Sequence, residues 1–334
     1  MNGARQTLTD RIIRAAVPLI FLAVLLVFGA MEPGYLSAGN LTNIVKQAAF
    51  IGIAAVGMVF VLLTAGIDLS VGSVMYLAPL LAGFFMRETG LGVFPGLLVA
   101  ILAGMAMGAI NGFFIVRLKI IPFIVTLSTL FFFRGAGTFM TSSRQFDFSR
   151  DMLDFGLTSL AGIPLPIIVL AIVAAAAHVV LTRTTFGRQV YAVGADAEAA
   201  RKAGINVGSV RFRVYVISSA CAALAGFVLI SQIGRLDQAF GEGREFDVIA
   251  AAVLGGASLF GGIGTVWSAI VGATLIQAVK TGLVFSGINL YLQPMLQGLV
   301  IFVAVLLDTL RSGRLAERMR RTIRAAGEPG PGRK

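Results

Sequence analysis

Charged residues are scarce in this chain of 334 residues. Asp, Glu, Lys and Arg together make up 13% of the sequence, whereas soluble globular domains contain about 25%. Hydrophobic residues make up 57%, and the mean hydropathy is +0.90. This composition excludes an ordinary soluble domain and predicts an all-α polytopic membrane protein.

Cysteine and histidine each occur once. Cys221 lies in an apolar run without a disulfide partner, so we interpret it as a small hydrophobic residue. His178 stands among Ala and Val and lacks the neighbours that metal binding or acid–base chemistry would need. The sequence contains no Gly-x4-Gly-Lys-[Ser/Thr] motif, so the chain has no P-loop for ATP. We expect no catalytic residue, no metal site and no cofactor in this chain, and these absences argue against an intramembrane enzyme.

Ten apolar segments approach the roughly 20 residues that a membrane-spanning helix needs. They are 15–31, 47–64, 70–86, 93–116, 122–140, 164–182, 214–233, 247–260, 265–284 and 290–308. The eighth is short and rich in glycine, and its alternative is a segment that re-enters the membrane without crossing it. The first has the alternative of a signal peptide, but no clear cleavage site follows it, so we expect an uncleaved helix.

Basic residues predict the orientation of these segments. With a cytoplasmic N-terminus, 19 of the 27 lysines and arginines fall in cytoplasmic stretches and 6 in outer loops. That excess predicts both termini in the cytoplasm and explains the net charge of +11 without nucleic acid as a partner. We predict a cytoplasmic N-terminus (1–14), a transmembrane domain (15–308) and a basic cytoplasmic tail (309–334) that is disordered.

One long polar segment, residues 184–213, interrupts the apolar runs on the predicted cytoplasmic side. Its middle predicts a short helix with Asp196 as N-cap, Glu198 in the first turn and Gly204 just past the end. Glu198 and Lys202 can pair at i, i+4. Small residues leave its surface smooth: Ala197, Ala199, Ala200 and Ala203. A helix this short is marginal alone, so we expect it to lie in a groove of another protein, with a plain linker helix as the alternative.

Two glycine-rich breaks, 63–73 and 254–267, separate predicted spans two from three and eight from nine. An ionisable residue in lipid costs about 2.5–3.5 kcal/mol, so Asp68 is expected to face protein or water. It either caps the start of the third span or contacts a substrate. Interrupted helices at corresponding places in two halves indicate a transport pathway, and the glycine spacing suggests a duplication of these pairs.

Polar groups within the spans are candidates for lining such a pathway. They are Asp68, Ser70, Asn111, Thr126, Ser128 and Ser258, with Thr129 as a further hydroxyl. Hydrogen bonding between helices is the alternative use of these groups. Arg134 also lies within a span, where we expect a structural role.

Acidic residues gather in the predicted outer loops 141–163 and 234–247. They are Asp147, Asp151, Asp154, Asp237, Glu242, Glu245 and Asp247. They either keep the loops solvated or form a landing surface for a soluble external protein of complementary charge.

Six motifs, in order and spread over roughly residues 40 to 308, resemble the ribose-type sugar permeases of ABC importers. They are Gly66-Ile-Asp-Leu-Ser-Val-Gly-Ser73, Ile121-Pro-Phe-Ile-Val-Thr-Leu-Ser-Thr129 with Arg134-Gly135, Phe186-Gly-Arg-Gln-Val-Tyr-Ala-Val-Gly194, Glu198-Ala-Ala-Arg-Lys-Ala-Gly204, Gly241-Glu-Gly243 and Val253-Leu-Gly-Gly-Ala-Ser-Leu-Phe-Gly-Gly262. The Ile-x-Leu-Pro ending that follows the docking glycine in many other importers is missing here, as it generally is in ribose-type relatives.

The resemblance implies a permease of about ten helices in the bacterial inner membrane that imports a monosaccharide, a pentose or hexose. It implies a paired permease chain, identical or paralogous, and a periplasmic sugar-binding protein. A cytoplasmic ATPase with two fused nucleotide-binding halves would hold ATP and Mg and dock on the coupling helix through Asp196, Glu198, Ala199, Ala200 and Gly204. The alternative is an ion-coupled secondary sugar transporter. Such carriers tend to keep acidic or histidine relays in the bilayer, and Asp68 is the single mid-chain candidate.

Overall fold

The computed structural model of the chain describes residues 19–287 and the single residues 292, 295, 298, 299 and 302. The predicted N-terminus 1–14, the tail 309–334 and most of the tenth span, 290–308, lie outside the described residues. The described helices are Leu19–Met31 (α1), Ala38–Leu63 (α2), Val71–Thr89 (α3), Val93–Arg117 (α4), Pro122–Thr141 (α5), Arg150–Leu157 (α6), Leu165–Arg183 (α7), Thr185–Ala195 (α8), Ala197–Lys202 (α9), Val207–Ile233 (α10), Arg244–Leu254 (α11) and Val266–Phe285 (α12), with a 3₁₀ helix at Pro33–Leu36.

The structure confirms a mostly helical polytopic membrane protein. Six of the described helices are long and apolar enough to cross a membrane, namely α2, α4, α5, α7, α10 and α12. Each coincides with a predicted span. The third predicted span is helix α3, which contains Pro79 and is not among the six. Helix α2 begins at Ala38 rather than at residue 47, because the Ser37 hydroxyl accepts the Asn40 N–H and caps it there.

Helices α2 and α10 form the centre of the bundle. Their most apolar segments are 83% and 67% buried, whereas those of α4, α5 and α7 are about one-third buried. A glycine row on α4 lets that helix approach α10 closely. A Cβ at Gly104 would lie 2.6 Å from the Ser219 carbonyl oxygen, and one at Gly108 would lie 2.5 Å from the Tyr215 carbonyl oxygen. Small residues four apart are a common means of bringing membrane helices together.

Helix α11 occupies the place of the eighth predicted span, 247–260. It has 11 residues and ends at Leu254, so its length is about 16 Å, half of the roughly 30 Å hydrocarbon core. Before it, the backbone of Gly241 contacts that of Gly72 in the first turn of α3. The chain therefore turns back into the bundle before α11 begins, a course that matches the re-entrant alternative.

The end of the bundle opposite α9 is joined by a short antiparallel ladder. Phe146–Asp147 (β1) pairs with Arg235–Leu236 (β4), which links the segment after α5 to the segment after α10. Helix α6 packs there on α10, with Gly156 against the Ser231 carbonyl oxygen. A second hairpin, Ser159–Leu160 (β2) with Ile163–Pro164 (β3), leads into α7.

Candidate functional site

A buried polar network surrounds Asp68 in the first glycine-rich break. Its Oδ1 accepts the Ser70 N–H at 3.0 Å and the Ser70 hydroxyl at 2.6 Å. Its Oδ2 accepts the Ser218 hydroxyl of α10 at 2.9 Å. All three side chains are fully buried. Helix α3 begins at Val71 with Ser70 as its N-cap and without a side-chain cap bond, so Asp68 bonds to the turn before the helix and is not the cap that the sequence predicted. The bond to Ser218 connects the break to helix α10.

The network continues into α4 and α5. Asn111 donates its amide N–H to the Ser70 hydroxyl at 2.8 Å and accepts the Thr129 hydroxyl at 2.7 Å. Thr126 and Tyr215 approach the Ile67 carbonyl oxygen with their hydroxyls, at 3.4 and 3.3 Å. Hydrogen bonds from Ile67, Asp68 and Ser70 of the first break therefore reach three different helices, α4, α5 and α10.

The structure brings four of the six predicted pathway residues together and leaves two elsewhere. Asp68, Ser70, Asn111 and Thr126 share the network, where each is enclosed within one chain and serves as a bridge between helices in this conformation. Ser128 is exposed on α5 and donates to the Ile124 carbonyl oxygen of its own helix. Ser258 lies buried in the second break, where its hydroxyl accepts the Phe260 N–H.

The two glycine-rich breaks are in direct contact. The Gly262 N–H of the second donates to the Leu63 carbonyl oxygen at the end of α2, at 3.0 Å. Within the second break the turns are closed by backbone bonds, including Ser258 N–H to the Ile263 oxygen at 2.8 Å. Glycines there adopt positive φ, as at Gly261 with φ +89°, a region that favours glycine.

Helix α9 forms as the sequence predicts. The Asp196 carboxylate accepts the Glu198 and Ala199 N–H groups at 2.8 and 3.0 Å, and these bonds lower the pKa of Asp196 below its ordinary value. Glu198 and Lys202 pair at 2.9 Å in open solvent. Gly204 follows the helix with φ +84°. Ala200 is buried against the bundle, while the other predicted coupling residues are exposed.

Two acidic residues differ from the prediction of a solvated outer surface. Glu245 and Asp247 are buried at the start of α11, 7% and 1% exposed. Asp247 accepts from Lys280 of α12 at 2.7 Å and from Arg244 at 3.2 Å. The other five acidic residues of that set are exposed. The signal that sequence reasoning missed was Lys280 itself, since a cation within an apolar span needs a buried partner.

Arg134 of α5 holds the segment that precedes α11. Its guanidinium donates to the Gln238 and Phe240 carbonyl oxygens at 2.8 and 3.0 Å and lies 5.4 Å from the centre of the Tyr76 ring. These contacts are those of a structural residue, as expected. Together with the Asp247–Lys280 pair they hold the segment before α11 and the first turn of α11 against α5 and α12.

Sequence comparisons connect this arrangement with known transport proteins. A family model described as the permease component of the branched-chain amino acid transport system matches residues 40–305. The ribose import permease RbsC of Haemophilus influenzae is 37% identical over 300 residues, which are 88% of this chain and 92% of that protein. The D-allose permease AlsC of Escherichia coli is 35% identical over 88% of this chain and 90% of its own length.

The fructose import permease FrcC of Rhizobium meliloti is 36% identical over 310 residues, 88% of this chain and 85% of that protein. No solved structure matches this chain. The relatives span nearly the whole molecule, including both glycine-rich breaks, α8 and α9. The chain therefore belongs to the ribose-type permease family of ABC importers and is a multi-pass protein of the bacterial inner membrane.

Proposed function

We propose that this chain is the permease subunit of an ATP-binding-cassette importer that moves a monosaccharide, a ribose-type pentose or hexose, across the inner membrane. The observation that carries the proposal is the capped, exposed helix α9 on a chain similar over 88% of its length to a ribose import permease. Its partners are a cytoplasmic ATPase with two fused nucleotide-binding halves, which binds ATP and Mg, a periplasmic sugar-binding protein and a second permease chain.

Helix α9 has the properties of a docking element. Ala200 anchors it to the bundle, and Asp196 fixes its first turn. Glu198, Ala199 and Gly204 remain exposed for a partner, and nothing lies within 4 Å of a Cβ built on Gly204. An exposed small-residue face with charged flanks suits a groove on another protein. The distribution of basic residues supports a cytoplasmic position for α9 and for both termini.

The proposed sugar pathway uses groups that can hydrogen-bond to sugar hydroxyls. They are Asp68, Ser70, Asn111, Thr126, Ser128 and Ser258. The buried members support the proposal through their chemistry, because a carboxylate, an amide and hydroxyls in apolar surroundings bond strongly to polar ligands. Access to them requires the helices around the first break to separate, which alternation between outward-open and inward-open forms would provide.

An ion-coupled secondary sugar transporter is the second candidate. The observation that favours it is Asp68, a fully buried carboxylate with hydroxyl neighbours. Uptake of ribose, allose, fructose or xylose into proteoliposomes separates the two. Uptake driven by a proton or sodium gradient without an ATPase supports the carrier, and uptake that needs ATP and the ATPase supports the importer.

Replacement of Gly204 by Glu tests the docking role. The substitution places a bulky charge on the exposed face at a left-handed position, so we expect sugar-stimulated ATPase activity of the reconstituted complex to be lost. Gly204→Asn is the matched control, since Asn tolerates left-handed φ and adds no charge, and it should retain most of the activity. Unchanged stimulation in the Glu variant would contradict the assignment.

A further inference from the structure

Three backbone segments lie in direct contact at the end of α8. A Cβ on Gly194 would collide with the Leu63 carbonyl oxygen and lie 2.6 Å from the Gly262 amide nitrogen. A Cβ on Gly261 would lie 2.8 Å from the Gly194 carbonyl oxygen and 3.0 Å from the Ala65 Cβ. We call this contact of Leu63, Ala65, Gly194, Gly261 and Gly262 the glycine joint. It connects α8 to both glycine-rich breaks.

Tyr191 adds a directed bond to the same contact. Its hydroxyl donates to the Gly264 carbonyl oxygen at 2.8 Å. Gly264 stands two residues before α12 begins at Val266. One turn of α8 therefore holds the first break through Gly194 and the second break through both Gly194 and Tyr191.

The link from α9 to this joint is short. Helix α8 ends at Ala195, and Asp196 is both its C-cap and the N-cap of α9. Gly194 is thus two residues from the capping residue of the docking helix. A displacement of α9 reaches the joint through one rigid turn, because the cap bonds fix the single residue between the two helices.

Beyond the joint, each break leads to a different part of the bundle. From Leu63 the chain passes through Ala65, with φ +57°, to Asp68 and its bonds to α4 and α10. From Gly262 it leads to α12, which the Lys280–Asp247 ion pair ties to α11. Ala65 is held in a left-handed conformation that is costly for an L-residue, at the point where Gly261 packs on it.

We propose that α8 is the transmission element of this permease, and that Tyr191 and Gly194 pass a displacement of α9 to both glycine-rich breaks at once. Closely packed backbones change between discrete arrangements and do not deform continuously. The two breaks therefore move together rather than one after the other. Tyr191 and Gly194 are positioning residues that touch neither the ATPase nor the sugar. The inference rests on the proposed function, because it requires an ATPase that moves α9.

Tyr191→Phe in the reconstituted complex tests the proposal. The variant keeps the ring and the exposed face of α9, so the ATPase still co-purifies and hydrolyses ATP. We expect the sugar imported per ATP hydrolysed to fall about five-fold, the factor that corresponds to losing one hydrogen bond of ~1 kcal/mol. The probe is whichever of radiolabelled ribose, allose, fructose or xylose the unaltered complex imports.

Tyr35→Phe is the matched control. Its hydroxyl donates to the Ala278 carbonyl oxygen of α12 at the same 2.8 Å, but it lies away from α8. We expect this variant to lower the melting temperature without changing sugar imported per ATP. A purely structural role for Tyr191 would give the same result as Tyr35→Phe and would overturn the proposal.

Gly194→Ala provides a second measurement with a larger expected effect, at least ten-fold in sugar imported per ATP, because its methyl group separates the three backbones. Unchanged coupling in a folded Gly194→Ala complex would also overturn the proposal. A different result tests the proposed function. If the unaltered complex imports no sugar with ATP, the proposed function and this inference are both wrong. If the unaltered complex imports sugar and Tyr191→Phe leaves the sugar imported per ATP unchanged, the inference alone is wrong.

Discussion

The two glycine-rich breaks are built differently although they touch each other. Side chains close the first, with Asp68 accepting three hydrogen bonds and Asn111 extending the network to α5. The second is closed mainly by backbone groups and positive-φ glycines, with the Ser258 hydroxyl accepting the Phe260 N–H. The Asp247–Lys280 ion pair lies outside it, with Asp247 seven residues before the break begins at Leu254. Loss of a polar side chain should therefore destabilise the first break most, and added side-chain volume should destabilise the second.

The difference bears on the duplication suggested by glycine spacing. The helix before the first break has 26 residues, and the helix before the second has 11. The two units share the placement of glycine but differ in helix length and in the groups that stabilise the turn. Substitutions at each break can measure how far this contrast extends.

Asp68→Ala should have the largest effect. The substitution leaves the Ser70 and Ser218 hydroxyls and the Ser70 amide without their acceptor, so we expect the free energy of unfolding to fall by about 3 kcal/mol. Thermal denaturation of the detergent-solubilised protein measures it. Asp154→Ala removes an exposed carboxylate and should leave the melting temperature unchanged; equal melting of the two variants would contradict the side-chain account of the first break.

Gly255→Ala should have the second-largest effect on the free energy of unfolding. A Cβ at Gly255 meets the backbone of Ser268 in α12, and overpacking of this kind costs about 1–3 kcal/mol. Gly39→Ala is the control, because no atom lies within 4 Å of a Cβ there and the change favours a helix. We expect Gly255→Ala to lower the melting temperature and Gly39→Ala to leave it unchanged or raise it. A lower melting temperature for Gly39→Ala than for Gly255→Ala would show that side-chain volume does not limit the stability of the second break.

Lys280→Met should lower the free energy of unfolding by about 1.5 kcal/mol, less than Asp68→Ala does. Arg244 remains 3.2 Å from Asp247 and still compensates the charge of the buried carboxylate. Arg244→Met should lower the free energy of unfolding by a still smaller amount, because Arg244 is the more exposed of the two basic partners of Asp247. A double-mutant cycle with Asp247→Asn measures the coupling of each pair. A coupling that is no larger for Lys280 than for Arg244 would contradict the role of the buried pair in holding α11 to α12.

Ser218→Ala should have the smallest measurable effect, about 1 kcal/mol, since one hydrogen bond to Asp68 is lost. Ser128→Ala is the matched change on α5, where the hydroxyl bonds its own helix and is exposed. We expect no change in melting temperature for Ser128→Ala. Similar effects from both would mean that the network adds nothing beyond local helix structure.

Sequence reasoning succeeded where the signal was local. The cap at Asp196, the Glu198–Lys202 pair and the left-handed Gly204 all depend on residues within one or two turns. The six long helices could also be predicted, because the length of an apolar run in the sequence indicates the length of the helix it forms.

Long-range contacts could not be predicted in the same way. The hydrogen bond from Ser218 to Asp68 joins residues 150 positions apart, and no periodicity indicates it. Glu245 and Asp247 were placed in a solvated loop because charge alone suggests exposure. Their burial follows from the turn of the chain at Gly241 toward α3, a feature that only the packing reveals.

The hairpin between β2 and β3 offers a direct means of fixing which way the molecule faces. Its two-residue tip, Ala161 and Gly162, has φ +50° and +79°, and both residues are exposed with nothing packed on the glycine. An epitope inserted there would disturb no buried contact. Antibody labelling of intact spheroplasts would then report the sidedness of the chain independently of its charge distribution.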